Sequence, residues 1–407
     1  MGLEFSITID SAAFKAYTGI KINYSKTDIE NSKFNIQNHG LLFENQITAQ
    51  DIDCFETIGY TAFFKTAHSD FAFDIFAASF YLLSRYEEYL PHQKDFYGRY
   101  AHENSLAFKE RFICLPLINI WVRDFGKALS NKYSMCKVQG AMFKFVPTYD
   151  IDMAYSYKFK GLWRNIAGFI RSPSFERIKV LAGFKKDPYD AYLYLDILHK
   201  KYHLNPVYFF LVADKHGRYD KNISPHKSAM WKLVKQNTLK YQAGLHPSWL
   251  SGENTALLKK EKEQLEAMSD IGQAKITSTR QHYIRFNLPV TYRRLSEAGI
   301  TDEFSMGYGS VNGFRASVAS SFYWYDLERN IPSTLRIHPF CFMDANSFYE
   351  QRFSAKEAYD ELMHYFRICK EVNGTLITIW HNNFLGTDKA YAGWKDIYEL
   401  FISQLDS

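Results

Sequence analysis

Four short runs in this chain set metal-binding or proton-moving side chains directly behind apolar stretches. They are Thr148-Tyr-Asp150-Ile-Asp152, Gly244-Leu-His246-Pro-Ser248, Ser278-Thr-Arg280-Gln-His282 and Ile379-Trp-His381-Asn-Asn383. In extended backbone, residues two apart face the same side, so Asp150 and Asp152 point together. Two carboxylates that close repel each other unless a cation lies near. A divalent metal meets that need, with imidazole as the matching nitrogen ligand. The chemistry of such a group is metal-assisted hydrolysis. Taken singly, the Asp pair also reads as an Asx turn or helix cap, and each His as a polar residue satisfied at a strand end. Four such endings at one edge would need four coincidences.

The elements around these runs must bring them to that edge. Residues 1–140 read as a smaller mixed α/β module whose chemistry cannot be named. Within it, Asp74 to Tyr89 keeps apolar residues at helical spacing, and Leu90 to Tyr100 reads as loop. From residue 141 strand and helix alternate. Strands are predicted over Met142–Thr148, Val207–Ala213, Gln242–Leu245, Ala274–Thr279 and Thr375–Trp380. Helices are predicted from Pro188 to about His203, after a Ser224-Pro225 start, from Asn254 to Met268, over Pro289–Glu297, and from Trp394 to Leu405. Ser354 and Glu357 form a capping box for a further helix that reaches Val372 and closes at Gly374. Repeated βα units predict a parallel sheet, open or closed into a barrel. In a barrel, reactive residues gather where strands end at their C-terminal edge.

Composition sets outer bounds. At 407 residues two domains are expected, and a net charge of +5 gives no electrostatic footprint for nucleic acid. The five cysteines (Cys54, Cys114, Cys136, Cys341, Cys369) are scattered without a CxxC pair, so reduced core thiols are expected. MGLEFSITID has neither a basic nor an apolar leader segment, and no signal peptide is expected. It fits the myristoylation pattern M-G-x-x-x-Ser, a common match that bears only on a eukaryotic protein. No stretch approaches the roughly 20 continuous apolar residues of a spanning helix. A cytoplasmic location is the expectation.

In their order, over roughly residues 141–400, the four runs resemble the polysaccharide deacetylases with NodB homology. The resemblance implies an α/β fold with a distorted (β/α) barrel, here preceded by the smaller α/β domain. Thr148-Tyr-Asp-Ile-Asp152 resembles the first family motif in its spaced form, which makes Asp150 the general base and Asp152 a metal ligand. Gly244-Leu-His246 resembles the second motif and makes His246 a ligand. Arg280 matches the arginine that orients the base, and His381 the histidine that serves as acid. Gly313-Phe-Arg315 and Phe322-Tyr-Trp-Tyr-Asp-Leu327 are similar to a divergent branch of Bacteroidetes-type bacteria with an additional N-terminal module. One departure stands out: the family's second motif usually carries another His four residues on, and Leu250 occupies that position. His282, sharing a strand face with Arg280, is the candidate third ligand, with His338 in reserve.

The implied activity is N-deacetylation of a sugar or glycan, with zinc as the expected metal. Asp214, in the polar loop to Asn222, and Arg315 and Trp249 are candidate substrate-binding residues. Two other readings stay open: a glycan-binding module that kept the barrel without catalysis, and an amidohydrolase acting on a small non-sugar amide. Lys158 to Lys186 adds a separate feature. It carries eight basic residues against Glu176 alone, with apolar residues interleaved. Such a segment either lies on an anionic membrane surface, at the inner face and near a lipid-linked glycan, or docks on the N-terminal module.

Overall fold

The computed structural model describes residues 5–29, 32–67, 69–133, 141–269, 272 and 275–405. Cys136, Ala274 and the Met1–Glu4 portion of the myristoylation pattern lie outside the described residues. The centre of the molecule is a nine-stranded sheet. Its strands in chain order are β1 (Lys144–Ile151), β2 (Val207–Leu211), β3 (Gln242–His246), β4 (Ser278–Thr279), β5 (Asp302–Glu303), β6 (Phe322–Asp326), β7 (Ile331–Ile337), β8 (Phe342–Met343) and β9 (Thr375–His381). They lie in the order β6-β7-β5-β4-β3-β2-β1-β9-β8. Every pairing is parallel except β6 with β7, which form an antiparallel hairpin.

Strand pairing does not close the sheet, so the barrel expected from the sequence is open at one seam. The sheet nevertheless curls. Only residues 338–341 separate β7 from β8, although these strands sit near opposite ends of the order. So short a link reaches at most about 17 Å, which a flat nine-stranded array would exceed. Along it the Phe340 N–H donates to the Met306 carbonyl beyond β5, and the Cys341 N–H to Ile377 on β9. An irregular segment therefore spans the gap that a strand would fill. β5 to β8 were not predicted, because three of them are two to five residues long and carry no clear alternation.

The longer elements follow from apolar patterning. β2 is buried at every position, as a continuous apolar run predicts. Ser354 and Glu357 do make the reciprocal capping bonds for the helix Ala355–Glu371. The helix expected after Ser224-Pro225 begins later, at Ser228, because the Ser224 carbonyl instead accepts a turn bond from the Lys227 N–H. The helix expected over residues 74–89 stops at Leu83. Arg85 turns left-handed at φ 55°, which lets its guanidinium reach both Glu87 and Glu88.

The described residues between 5 and 133 form short two-stranded pieces, the longer helices Ile75–Leu83 and Leu117–Lys132, and the short helices Ser11–Ala16 and Leu106–Lys109. Their apolar core is continuous with that of the sheet. The Ile118 N–H donates to Ser317, and the Phe314 N–H to Ile113. Arg315 makes a bidentate pair with Glu88.

Candidate metal centre and active site

β1 delivers Asp150 at its end and Asp152 just beyond. β9 pairs with β1 in a register that sets His381 beside Asp150. β3 ends on His246, and the turn after β4 presents Arg280 and His282. Four parallel strands therefore converge on one edge, and the curl of the sheet brings the edge together.

Asp152 is the hub. Its Oδ1 lies 3.0 Å from His246 Nε2, and its Oδ2 lies 3.5 Å from His282 Nε2 and 3.6 Å from His381 Nε2. One ligand atom from each of Asp152, His246 and His282 lies within 4.8 Å of the others. A tetrahedral zinc site places its ligand atoms about 3.3 Å apart, a spacing that the Asp152–His246 and Asp152–His282 distances bracket on the two carboxylate oxygens. Asp152 Oδ1 is buried and, although 3.0 Å from His246 Nε2, has no hydrogen-bond partner among the described residues. Both ligating candidates are also held from behind. His246 Nδ1 lies 2.6 Å from the Arg280 carbonyl, and His282 Nδ1 lies 3.0 Å from Asp220 Oδ1. An acceptor at Nδ1 fixes the proton there and turns the Nε2 lone pair toward the centre, as metal-bound histidines require. These observations fit a divalent cation.

Charge supports the same fit. Asp150, Asp152, Asp220 and Asp344 bring four carboxyl groups to or directly behind the cluster, with the Arg280 guanidinium as the one arginine among them. Burial alone would raise Asp152, but the imidazoles of His282 and His246 hold it well below the usual carboxylate range. Burial would lower His282, yet Asp152 and Asp220 raise it to about 9. Protons thus sit where a cation would displace them.

Two buried pairs flank the hub. Arg280 is fully buried and donates from Nη1 to Asp150 Oδ1 at 2.9 Å and to Thr148 Oγ1 at 2.6 Å. Its Nε donates to the Phe304 carbonyl, and its guanidinium lies 4.5 Å from the Phe209 ring centre. The Asp150 carboxylate is thereby held in one orientation. On the other side Asp344, which follows β8, accepts from the His381 backbone N–H at 2.7 Å and lies 2.6 Å from its Nδ1. Burial opposes a charge on His381, but Asp344, Asp152 and Asp150 outweigh it and raise the imidazole to about 10. Asp344 thus favours the protonated form of His381, whose Nε2 lies 3.6 Å from Asp152 Oδ2.

The three residues expected to bind substrate fare differently. Trp249 stands beside the cluster: its backbone N–H donates to Asp220, and its ring stacks on Tyr219 at 3.8 Å. Tyr283 and Tyr97 join this aromatic group, Tyr97 coming from the N-terminal half. Asp214 is engaged by Lys260 and His226 rather than by the hub. Arg315 does not line the cleft, because Glu88 and the Gly307 carbonyl take up its buried guanidinium. His338, the reserve ligand, is tied to Asp302 and Ser321 away from the hub. Leu250 is 61% exposed and brings no ligand.

Sequence reading missed Asp220 and Asp344. Asp220 lies in the polar loop from which Asp214 was chosen, and nothing local separates the two. Asp344 follows a strand of two residues with no periodic signal.

A model for a family of unknown function (DUF7033) matches residues 1–134. No curated protein matches the sequence. Among solved structures, the chain is similar to one assigned as a polysaccharide deacetylase from Mycobacterium smegmatis, at 12% identity and a TM-score of 0.42, covering 66% of this chain and 85% of that one. A second, assigned likewise and from Pseudomonas aeruginosa PAO1, has 9% identity and a TM-score of 0.41, covering 65% and 85%. A 4-alpha-glucanotransferase from Thermococcus litoralis has 11% identity and a TM-score of 0.37, covering 66% of this chain and 38% of that one.

Proposed function

We propose that this protein is a metal-dependent hydrolase that removes the acetyl group from an acetamido sugar or glycan. The supporting observation is the Asp152–His246–His282 cluster, flanked by an arginine-paired carboxylate on one side and a carboxylate-paired imidazole on the other. The nitrogen and oxygen donor set favours zinc. When bound, such a cation polarises an amide carbonyl and brings the pKa of a bound water toward about 7.

The chain's own residues supply the proton transfers. Asp150, oriented by Arg280, takes the proton from the attacking water. His381, kept protonated by Asp344, gives its proton to the nitrogen of the departing amine, a poor leaving group without it. Acid and base stand side by side because β1 and β9 are paired in register. The Trp249 ring is stacked on Tyr219 and has the Arg285 guanidinium over it, so a sugar would meet this aromatic group, with Tyr97 and Tyr283, at its partly exposed edges. That apolar surface favours a glycan over a small aliphatic amide. In this reading, residues 1–140 act as a unit that covers one side of the cleft, with Tyr97 as its contribution.

Elemental analysis joined to an acetate-release assay on N-acetylated sugars tests the proposal. The native protein is expected to carry one equivalent of zinc and to release acetate. Asp152→Ala should lose the metal. Asp150→Asn should keep the metal while turnover falls by roughly a hundred- to ten-thousand-fold. A protein without stoichiometric metal would point to a binding module, and full activity in Asp150→Asn would overturn the assigned base.

A further inference from the structure

An ordinary surface helix turns its apolar stripe to the core and its charges to water. The helix Leu162–Arg171 does the reverse. Leu162, Trp163, Ile166, Phe169 and Ile170 share one face at helical spacing, and the whole face is exposed, Trp163 at 82% and Ile170 at 76%. No residue of this helix is buried. The following helix, Phe175–Leu181, continues the surface with Phe175 at 85% exposure, Ile178 and Leu181, and Phe184 beyond it reaches 86%.

The polar side of the hairpin attaches it to the protein. Arg164 donates to the carbonyls of Lys221 and Asn222 at 2.8 and 3.2 Å. Arg177 crosses beneath to the Asn165 carbonyl, and Asn165 reaches back to Tyr157. Asp187 accepts from the N–H groups of Ser156, Tyr157 and Lys158, fixing the root of the hairpin only a few residues past Asp152. The expected alternative, docking on the N-terminal module, therefore does not describe this face.

An exposed surface of this kind marks an interaction site, and its charge selects the partner. Residues 158–186 hold eight basic side chains against one acidic, a net charge of +7. Arg164 and Arg177 face the protein, and Lys185 and Lys186 pair with Glu176 and Asp190, which leaves Lys158, Lys160, Arg171 and Lys179 without an ion pair among the described residues. Two-fold pairing of this face with a second copy would set these like charges against each other. An anionic lipid surface takes both features, since apolar rings enter the acyl boundary while lysines and arginines meet headgroup phosphates. No helix among the described residues is long and apolar enough to cross a membrane, so such contact would be peripheral.

We infer that residues 158–186 dock the protein on an anionic phospholipid bilayer. The segment Lys221–Asn222 that anchors the hairpin adjoins Asp220, the residue behind His282, so the docking segment is rooted next to the candidate metal cluster. This inference stands apart from the reaction proposed above, because binding to vesicles needs no turnover.

Co-sedimentation of the full chain with vesicles tests it, comparing phosphatidylcholine alone with phosphatidylcholine plus phosphatidylglycerol. Binding is expected to be at least about tenfold tighter on the anionic vesicles and to weaken with added salt. Combined Leu162→Ser, Trp163→Ser and Ile170→Ser substitutions should weaken it by about tenfold or more with an unchanged thermal midpoint, because these side chains are already exposed. In the native protein, brominated lipid should quench a fluorescence component that Trp163→Phe removes. Absence of binding at low salt, equal binding by the triple variant, or a dimer abolished by that variant without vesicle binding would each overturn the inference.

Discussion

Asp344 decides the protonation state of His381 without facing the hub itself. Removing its charge leaves burial, which opposes the imidazolium, with less to offset it. Asp344→Asn is thus expected to lower the pKa of His381. A general acid works only while protonated, so activity present below that pKa disappears as pH rises through it. The alkaline limb of the kcat profile should therefore move to lower pH in Asp344→Asn, with metal content unchanged. An equal drop in rate at every pH would assign Asp344 a purely structural part. Arg280 orients Asp150, and its three buried hydrogen bonds explain why lysine would be a poor substitute.

At the scale of elements, strand spacing sets the position of the ligands. Gly244 lies on β3, two residues before His246. A Cβ there would collide with the Phe209 ring and lie 2.9 Å from the Ser278 backbone oxygen on β4. The ring can turn, but the backbone oxygen is fixed by the sheet. Gly244→Ala should push β3 from β4, carry His246 away from Asp152, and weaken binding of the proposed metal by about 10- to 100-fold. Titration against a competing chelator would measure this, and unchanged affinity would show that β3 absorbs the strain elsewhere.

For the whole molecule, the ion group of Arg85, Glu88 and Arg315 joins the N-terminal residues to the sheet. All three side chains are almost fully buried, and Glu88 accepts from both arginines. Burial alone would raise Glu88, but Arg315 and Arg85 lower it from 4.5 to about 2. A carboxylate depressed in the folded state stabilises it fully above the unfolded value and loses that contribution as pH falls toward the folded one. Urea midpoints should therefore fall between pH 4.5 and about 2, and Arg315→Leu should flatten that dependence. The same variant leaves one side of Glu88 unpaired in the core, which costs about 3–5 kcal/mol near neutral pH. An unaltered acid profile in Arg315→Leu would remove Glu88 from this role.

Much of the layout was legible in the chain because it depends on local backbone geometry. Continuous apolar runs marked β2 and β9, and the Ser354–Glu357 pair marked a helix start, since burial on both faces and orphan N–H groups leave direct traces in sequence. Alternation likewise pointed Asp150 and Asp152 the same way. What tertiary structure alone decided depends on contacts between residues far apart in the chain. The partner of His282 is 62 residues away and that of His381 is 37. No spacing rule selects Asp220 over Asp214, because the choice follows from the curl of the sheet. The same holds for Arg315, drawn inward by Glu88, and for the seam between β7 and β8, where an irregular segment crosses in place of a closing strand. In residues 158–186, an amphipathic pattern specifies that one face differs from the other; which face meets the protein was set by the anchors Asp187, Lys221 and Asn222.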